Sequence, residues 1–115
     1  MREQKGKDIG FQHMKQEFKM VEYRVFNAGT ETSQIEKAEG EFLSLNDMYQ
    51  IIDCDLVEFI YLKDNQIMII DEEGKFKNDL NAINISATEI VRKSYENFND
   101  FIAGHAILID RKYLR

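Results

Sequence analysis

Three carboxylates stand in a row at Asp71, Glu72 and Glu73, followed by Gly74. Such a cluster can ligate a metal ion or move protons in acid/base catalysis. Adjacent residues of an extended chain point to opposite sides, however, so the three cannot all converge on one ion. A solvated corner whose charges end a sticky strand is the stronger reading. His105 starts a strand behind Gly104, where it could approach that corner and complete the acid/base pair of a hydrolase. A lone histidine at a strand end more often holds a backbone partner instead. His13 has no Cys or His at ligand spacing. Cys54 lies between Asp53 and Asp55, whose charges raise a thiol pKa and favour a buried structural role. A different chemistry is suggested by Asn78, Asn81 and Asn84, which lead to a helix start at Ser86. Free N–H groups there suit a phosphate, and so a nucleotide, although the dense acid just upstream opposes it.

The chain contains no phosphate loop, GxGxxG, CxxC, HExxH or GxSxG motif. These observations assign no catalytic residue, no metal ligand set and no cofactor. The candidate binding residues are Asp71, Glu72, Glu73, Asn78, Asn81, Asn84 and Ser86.

A chain of 115 residues suffices for one core. No apolar run approaches the ~20 residues that cross a bilayer, and no secretory signal pattern is present. With one cysteine, the chain is expected in the cytoplasm. The net charge of −6 is unevenly spread. Residues Glu31 to Asp100 hold 16 acids and 6 bases, while the flanks hold 5 acids and 9 bases. A middle segment at −10 disfavours direct nucleic-acid binding and favours a basic protein partner. Solubility is the plainer use of such charge.

The elements that must position these residues follow from periodicity. Residues 1–16 are polar and aperiodic and carry two glycines, so they read as a leader to a single domain over 17–115. Glu17 to Asn27 and Thr32 to Glu39 read as a hairpin with an exposed second strand. Ser44 caps a helix to Ile52, with Leu45, Met48, Tyr49 and Ile52 on one face. Leu56 to Leu62 and Ile67 to Ile70 flank a tight Lys63–Gln66 turn and are expected to be central and antiparallel. Gly74 is expected to turn the chain through a positive φ. A loop then leads to a helix capped at Ser86 and running to about Asn97, and His105 to Asp110 is the last strand. The ββαββαβ order gives an α+β class: a mainly antiparallel sheet of about five strands, with two helices on one face. Exposed edges at 32–39, or after His105, could pair in a homodimer.

The segments LNDMYQII, LVEFIYLKDNQIMIIDEEGK, NISATEI and AGHAILID occur in this order. In that order and spacing the chain resembles domain-of-unknown-function family 3846, found in phages and other mobile elements. The resemblance spans about Glu41 to Asp110, with Asp71 to Lys75 as its best single match. The first 40 residues share only an opening hairpin with it, and the Asn-rich link here lacks Pro. The family assigns no reaction and no catalytic residues. The resemblance implies a mobile-element origin and, for a short acidic protein, a counter-defence role by binding a host protein. Two rivals stand beside it: sequestration of a nucleotide signal through Asn78 to Ser86, and hydrolysis by His105 with Asp71 to Glu73.

Deleting residues 1–16 is expected to change the unfolding free energy by less than about 1 kcal/mol in urea denaturation. A larger loss would put Phe11 or Met14 on the core.

Overall fold

A computed structural model describes residues 19–77 and 82–115. The leader expected over 1–16, and the candidate residues Asn78 and Asn81, lie outside the described residues. Among the described residues, five strands form one antiparallel sheet. In chain order they are β1 (Met20–Phe26), β2 (Ser33–Glu39), β3 (Val57–Tyr61), β4 (Gln66–Asp71) and β5 (Ala106–Asp110). The helices among the described residues are α1 (Leu45–Ile52), the single turn α2 (Gly74–Lys77) and α3 (Ile85–Ser94). A 3-10 turn, Arg111–Tyr113, follows β5. The class is α+β, as the periodicity implies.

Across the sheet the strand order is β2-β1-β5-β4-β3. β3 is therefore an edge strand, against the expectation that it would be central. The last strand inserts between the two hairpins and takes the central place. Its composition explains this. Ala106, Ile107, Leu108 and Ile109 are apolar at both parities, whereas β3 exposes Glu58, Phe59 and Tyr61. A strand apolar on both faces is stable only where both faces are covered.

Both faces are covered because α1 and α3 pack on opposite sides, which corrects the one-face arrangement. Ile67 and Ile69 of β4 join Val21, Met48, Ile52, Ile107 and Ile109 on the α1 side. Met68 joins Phe26, Ala87, Val91, Ile102 and Ala106 on the α3 side. The alternation of side chains along β4 thus feeds two cores with one apolar run.

The local signals act largely as written in the sequence. The Ser44 hydroxyl caps α1 by accepting the Asp47 N–H at 3.0 Å. Asp64 and Asn65 both adopt the left-handed region, at φ 61° and 60°, and close the β3–β4 hairpin. Two features of α3 differ. It ends at Ser94 rather than near Asn97, and its cap is Asn84 rather than Ser86. Asn84 is fully buried. Its Oδ1 accepts the Ala87 N–H at 3.1 Å, and its Nδ2 donates to the carbonyls of Phe26 at 3.0 Å and Gly104 at 2.9 Å. Its main-chain N–H donates to the Ile102 carbonyl at 2.8 Å. Ser86 can reach none of these partners together from the second position of the helix, so Asn84 sets the start.

Asn84→Ala is expected to cost roughly 3 kcal/mol or more, since it orphans two buried backbone groups and one half-buried one. Asn84→Asp aims a carboxylate at two carbonyl oxygens and should cost at least as much at neutral pH. Only the Asp variant should recover on acidification, because a protonated carboxyl can donate to one of those carbonyls. Its folded-state pKa is raised, so the penalty is present at high pH and fades as pH falls. Urea denaturation of both variants across pH checks this; parallel pH profiles would remove Asn84 from the network.

Candidate functional site

The acidic corner does not behave as one unit. Asp71 is buried, while Glu72 and Glu73 are exposed. Both Asp71 carboxylate oxygens are engaged: Oδ1 accepts the Glu73 N–H at 2.9 Å and Oδ2 pairs with Lys77 Nζ at 2.8 Å. That hydrogen bond holds the Lys77 ammonium above its ordinary pKa. Asp71 thus shapes the turn into α2 and anchors Lys77. Glu72 and Glu73 are left to solvent.

Gly74 opens α2, and its φ is not positive. The expectation of a left-handed turn is corrected. Close packing is what calls for glycine: an added Cβ would overlap the Ala103 carbonyl oxygen and lie 3.2 Å from its carbon. The segment 102–104 is itself held in place by an Ile83–Ala103 bridge and the Asn84 bonds. Neither backbone can easily retreat.

At this end of the sheet further carboxylates gather. α1 ends at Asp53, which is left-handed at φ 63°, and Asp55 follows two residues later. The Glu72 N–H donates to the Leu56 carbonyl at 3.0 Å and ties this segment to the corner. Asp53, Asp55, Glu72 and Glu73 are all exposed here. The last turn of α1 carries no basic residue, so its negative pole adds to the charge at this end of the sheet.

A cleft of about 650 Å³ lies between α1 and the corner, lined by residues including Asp53, Cys54, Asp55, Asp71, Lys77 and His105. His105 and Asp71 do share this cleft. However, His105 Nδ1 accepts the Ala28 N–H at 3.0 Å, so in the neutral ring the proton sits on Nε2. Such a ring offers the cleft a donor rather than a base. Burial, reinforced first by the Asp71 carboxylate and less by Asp55, pushes the Cys54 thiol up and keeps it unreactive. Among the described residues, no group of three or more His, Cys, Asp or Glu side chains is placed to hold a metal ion. Asn84 has its side-chain atoms engaged within the fold, and Ser86 is half-buried inside the first turn of α3.

A second place was not singled out by sequence reasoning. A groove of about 750 Å³ lies between α1, the edge strand β3 and the chain after β5. Phe42, Leu45, Phe59 and Tyr61 line it and remain 39%, 48%, 37% and 54% exposed. Leu45 was expected on the buried face of α1 and instead forms this wall. Arg111 lies over the Tyr61 ring at 5.6 Å, and Arg115 over the Phe42 ring at 5.3 Å. The signal was the mixed basic and apolar run RKYLR, which by itself reads more readily as a solvated tail.

The family model described as "Domain of unknown function (DUF3846)" matches residues 25–113. The chain belongs to this family. No curated protein and no solved structure matches it. Among the described residues, no helix is long and apolar enough to cross a membrane.

Gly74→Ala is expected to destabilise the fold by about 1–3 kcal/mol in urea, through overlap with Ala103. Glu72→Gln and Glu73→Gln should each stay within about 0.5 kcal/mol of the parent. A neutral Gly74→Ala would mean that the 102–104 segment yields freely.

Proposed function

We propose that this is a non-enzymatic protein of a phage or other mobile element that binds and inhibits a host defence protein through an acidic surface. It would do so in the cytoplasm of the bacterial host, and its partner would present a basic surface. The observation that carries this reading is the concentration of unrelieved negative charge at one end of the sheet. Asp53 and Asp55 are exposed at the uncompensated C-terminal end of α1, and Glu72 and Glu73 are exposed at the same end of the sheet. Of the two lysines in the adjoining turn, Lys77 is engaged by Asp71 and Lys75 by Asp100. Clustered like charges repel and weaken the isolated fold, whereas a cationic surface removes that repulsion on contact. Such complementarity acts first on the rate of encounter and is sensitive to salt.

The two rivals find less support. A nucleotide site at the start of α3 needs free donors, and Asn84 spends its side-chain amide on Phe26 and Gly104. A hydrolase needs a base, and the His105 tautomer set by Ala28 does not supply one from Nε2.

The test compares the parent with the triple variant Asp55→Asn, Glu72→Gln, Glu73→Gln, immobilised and exposed to bacterial host lysate. The parent should retain a basic protein at low salt and release it at high salt. The variant should keep a cooperative melt and lose most of that capture. Equal capture by both proteins at every salt concentration would overturn the reading.

A further inference from the structure

The groove between α1, β3 and the C-terminal segment differs chemically from the acidic end. Its floor is apolar: Leu43, Met48 and Ile67 are each under 5% exposed. Its walls are the partly exposed Phe42, Leu45, Phe59 and Tyr61. Its charged groups are Arg111, Arg115 and Glu41, and Glu41 already faces Lys19 at 3.4 Å. Among the described residues neither arginine forms an ion pair, in a chain whose net charge is −6. Two guanidiniums held over aromatic rings line an apolar groove and carry charge that no described carboxylate neutralises.

Their positions are set by backbone bonds. The Arg111 N–H donates to the Asn65 carbonyl at 2.8 Å, and the Leu43 N–H donates to the Tyr113 carbonyl at 2.9 Å. The segment 111–114 is therefore fastened at both sides of the groove. The N-terminal end of α1, at Ser44 and Leu45, lines the same space and adds its positive pole.

We infer that this groove binds a small amphipathic anion, with an apolar or aromatic body on the Leu43–Met48–Ile67 floor and an oxyanion held by Arg111 and Arg115. Charge complementarity selects the anion. Guanidinium N–H groups match carboxylate, sulfonate or phosphate oxygens in a paired geometry. Size selects a single small molecule, since about 750 Å³ falls within the range of one-ligand pockets. A peptide added along β3 is opposed by the edge itself. There the Tyr95 hydroxyl donates to the Tyr61 carbonyl, and the Lys63 N–H donates to the Ser94 hydroxyl at 3.2 Å. The outward backbone groups that an added strand would need are thus partly occupied.

The experiment titrates the whole chain with two dyes of similar shape, anilinonaphthalene sulfonate and the uncharged N-phenylnaphthylamine, and competes the first with dodecanoate. The sulfonate should bind one saturable site and dodecanoate should displace it, as one anion site that accepts aromatic and aliphatic bodies requires. Arg111→Gln and Arg115→Gln should each weaken the sulfonate roughly tenfold, as loss of a charge-assisted hydrogen bond requires, and leave the neutral dye within about twofold. Leu45→Glu should abolish both, with the cooperative melt retained. The acidic-end triple variant should change neither, so failure here and failure of the host-partner reading remain distinguishable. The inference is overturned if the arginine variants bind the sulfonate like the parent. It is equally overturned if the two dyes respond alike to those variants, or if the chain sediments as a dimer that Phe59→Glu dissociates. In that last case the groove is an interface between copies.

Discussion

The fold turns on one buried amide. Asn84 joins the end of β1 at Phe26, the approach to β5 at Ile102 and Gly104, and the start of α3 at Ala87. Thr88 completes the ring, with its hydroxyl donating to the Asn84 carbonyl at 2.7 Å and accepting the Ile102 N–H at 2.9 Å. The side-chain polar atoms of Asn84 and Thr88 all have partners, which is the condition under which such a network specifies a structure rather than weakening it. It also decides where β5 can enter the sheet. The chain enters β5 through segment 102–104, which is bonded to 82–84, and Gly74 lies against the same segment. The acidic corner is therefore positioned through Ala103, by a network whose centre is Asn84.

From that point the two faces follow. β5 and β4 lie side by side at Ile107–Ile69 and Ile109–Ile67, and these four side chains form the α1-side core. On the other side Ala106 and Met68 meet Ala87 and Val91 of α3. Small residues at Ala87 and Ala106 let α3 approach closely, while the α1 side is filled by branched side chains. The edges are handled differently. β2 is almost wholly exposed and polar, and β3 is partly covered by the Ser94 and Tyr95 side chains at the end of α3.

What was legible in the sequence was what depends on neighbours along the chain. The Ser44 cap, the Asp64-Asn65 turn, the hairpins and the class can each be read within about ten residues. What was not legible depends on partners far along the chain. Ser86 fits a capping box locally, but Asn84 wins because Phe26, 58 residues away, supplies an acceptor. Gly74 reads as a turn glycine, but the atom that forbids a side chain there belongs to Ala103. Asp71, Glu72 and Glu73 look equivalent until Lys77 singles out Asp71. The groove escaped for the same reason. Phe42, Tyr61 and Arg111 are unremarkable separately and become a site only when β5 brings Arg111 beside Tyr61.

The two charged places lie at opposite ends of the same elements. β4 runs from Gln66, paired with Asp110 next to Arg111, to Asp71 at the acidic corner. α1 runs the same way, from Ser44 at the groove to Asp53, so its dipole is aligned with the segregation of charge. Six strand residues extend roughly 17–20 Å. The Debye length at physiological ionic strength is about 8 Å, so each end is largely screened from the other through solvent. A basic partner at the acidic end would therefore neither be repelled by the arginines nor cancel them. An anion in the groove would feel Arg111 and Arg115 more than the net charge of the chain. The arrangement thus permits two ligands of opposite sign with little direct electrostatic coupling. Any coupling between the ends would have to pass through the packing of α1 on β4 and β5.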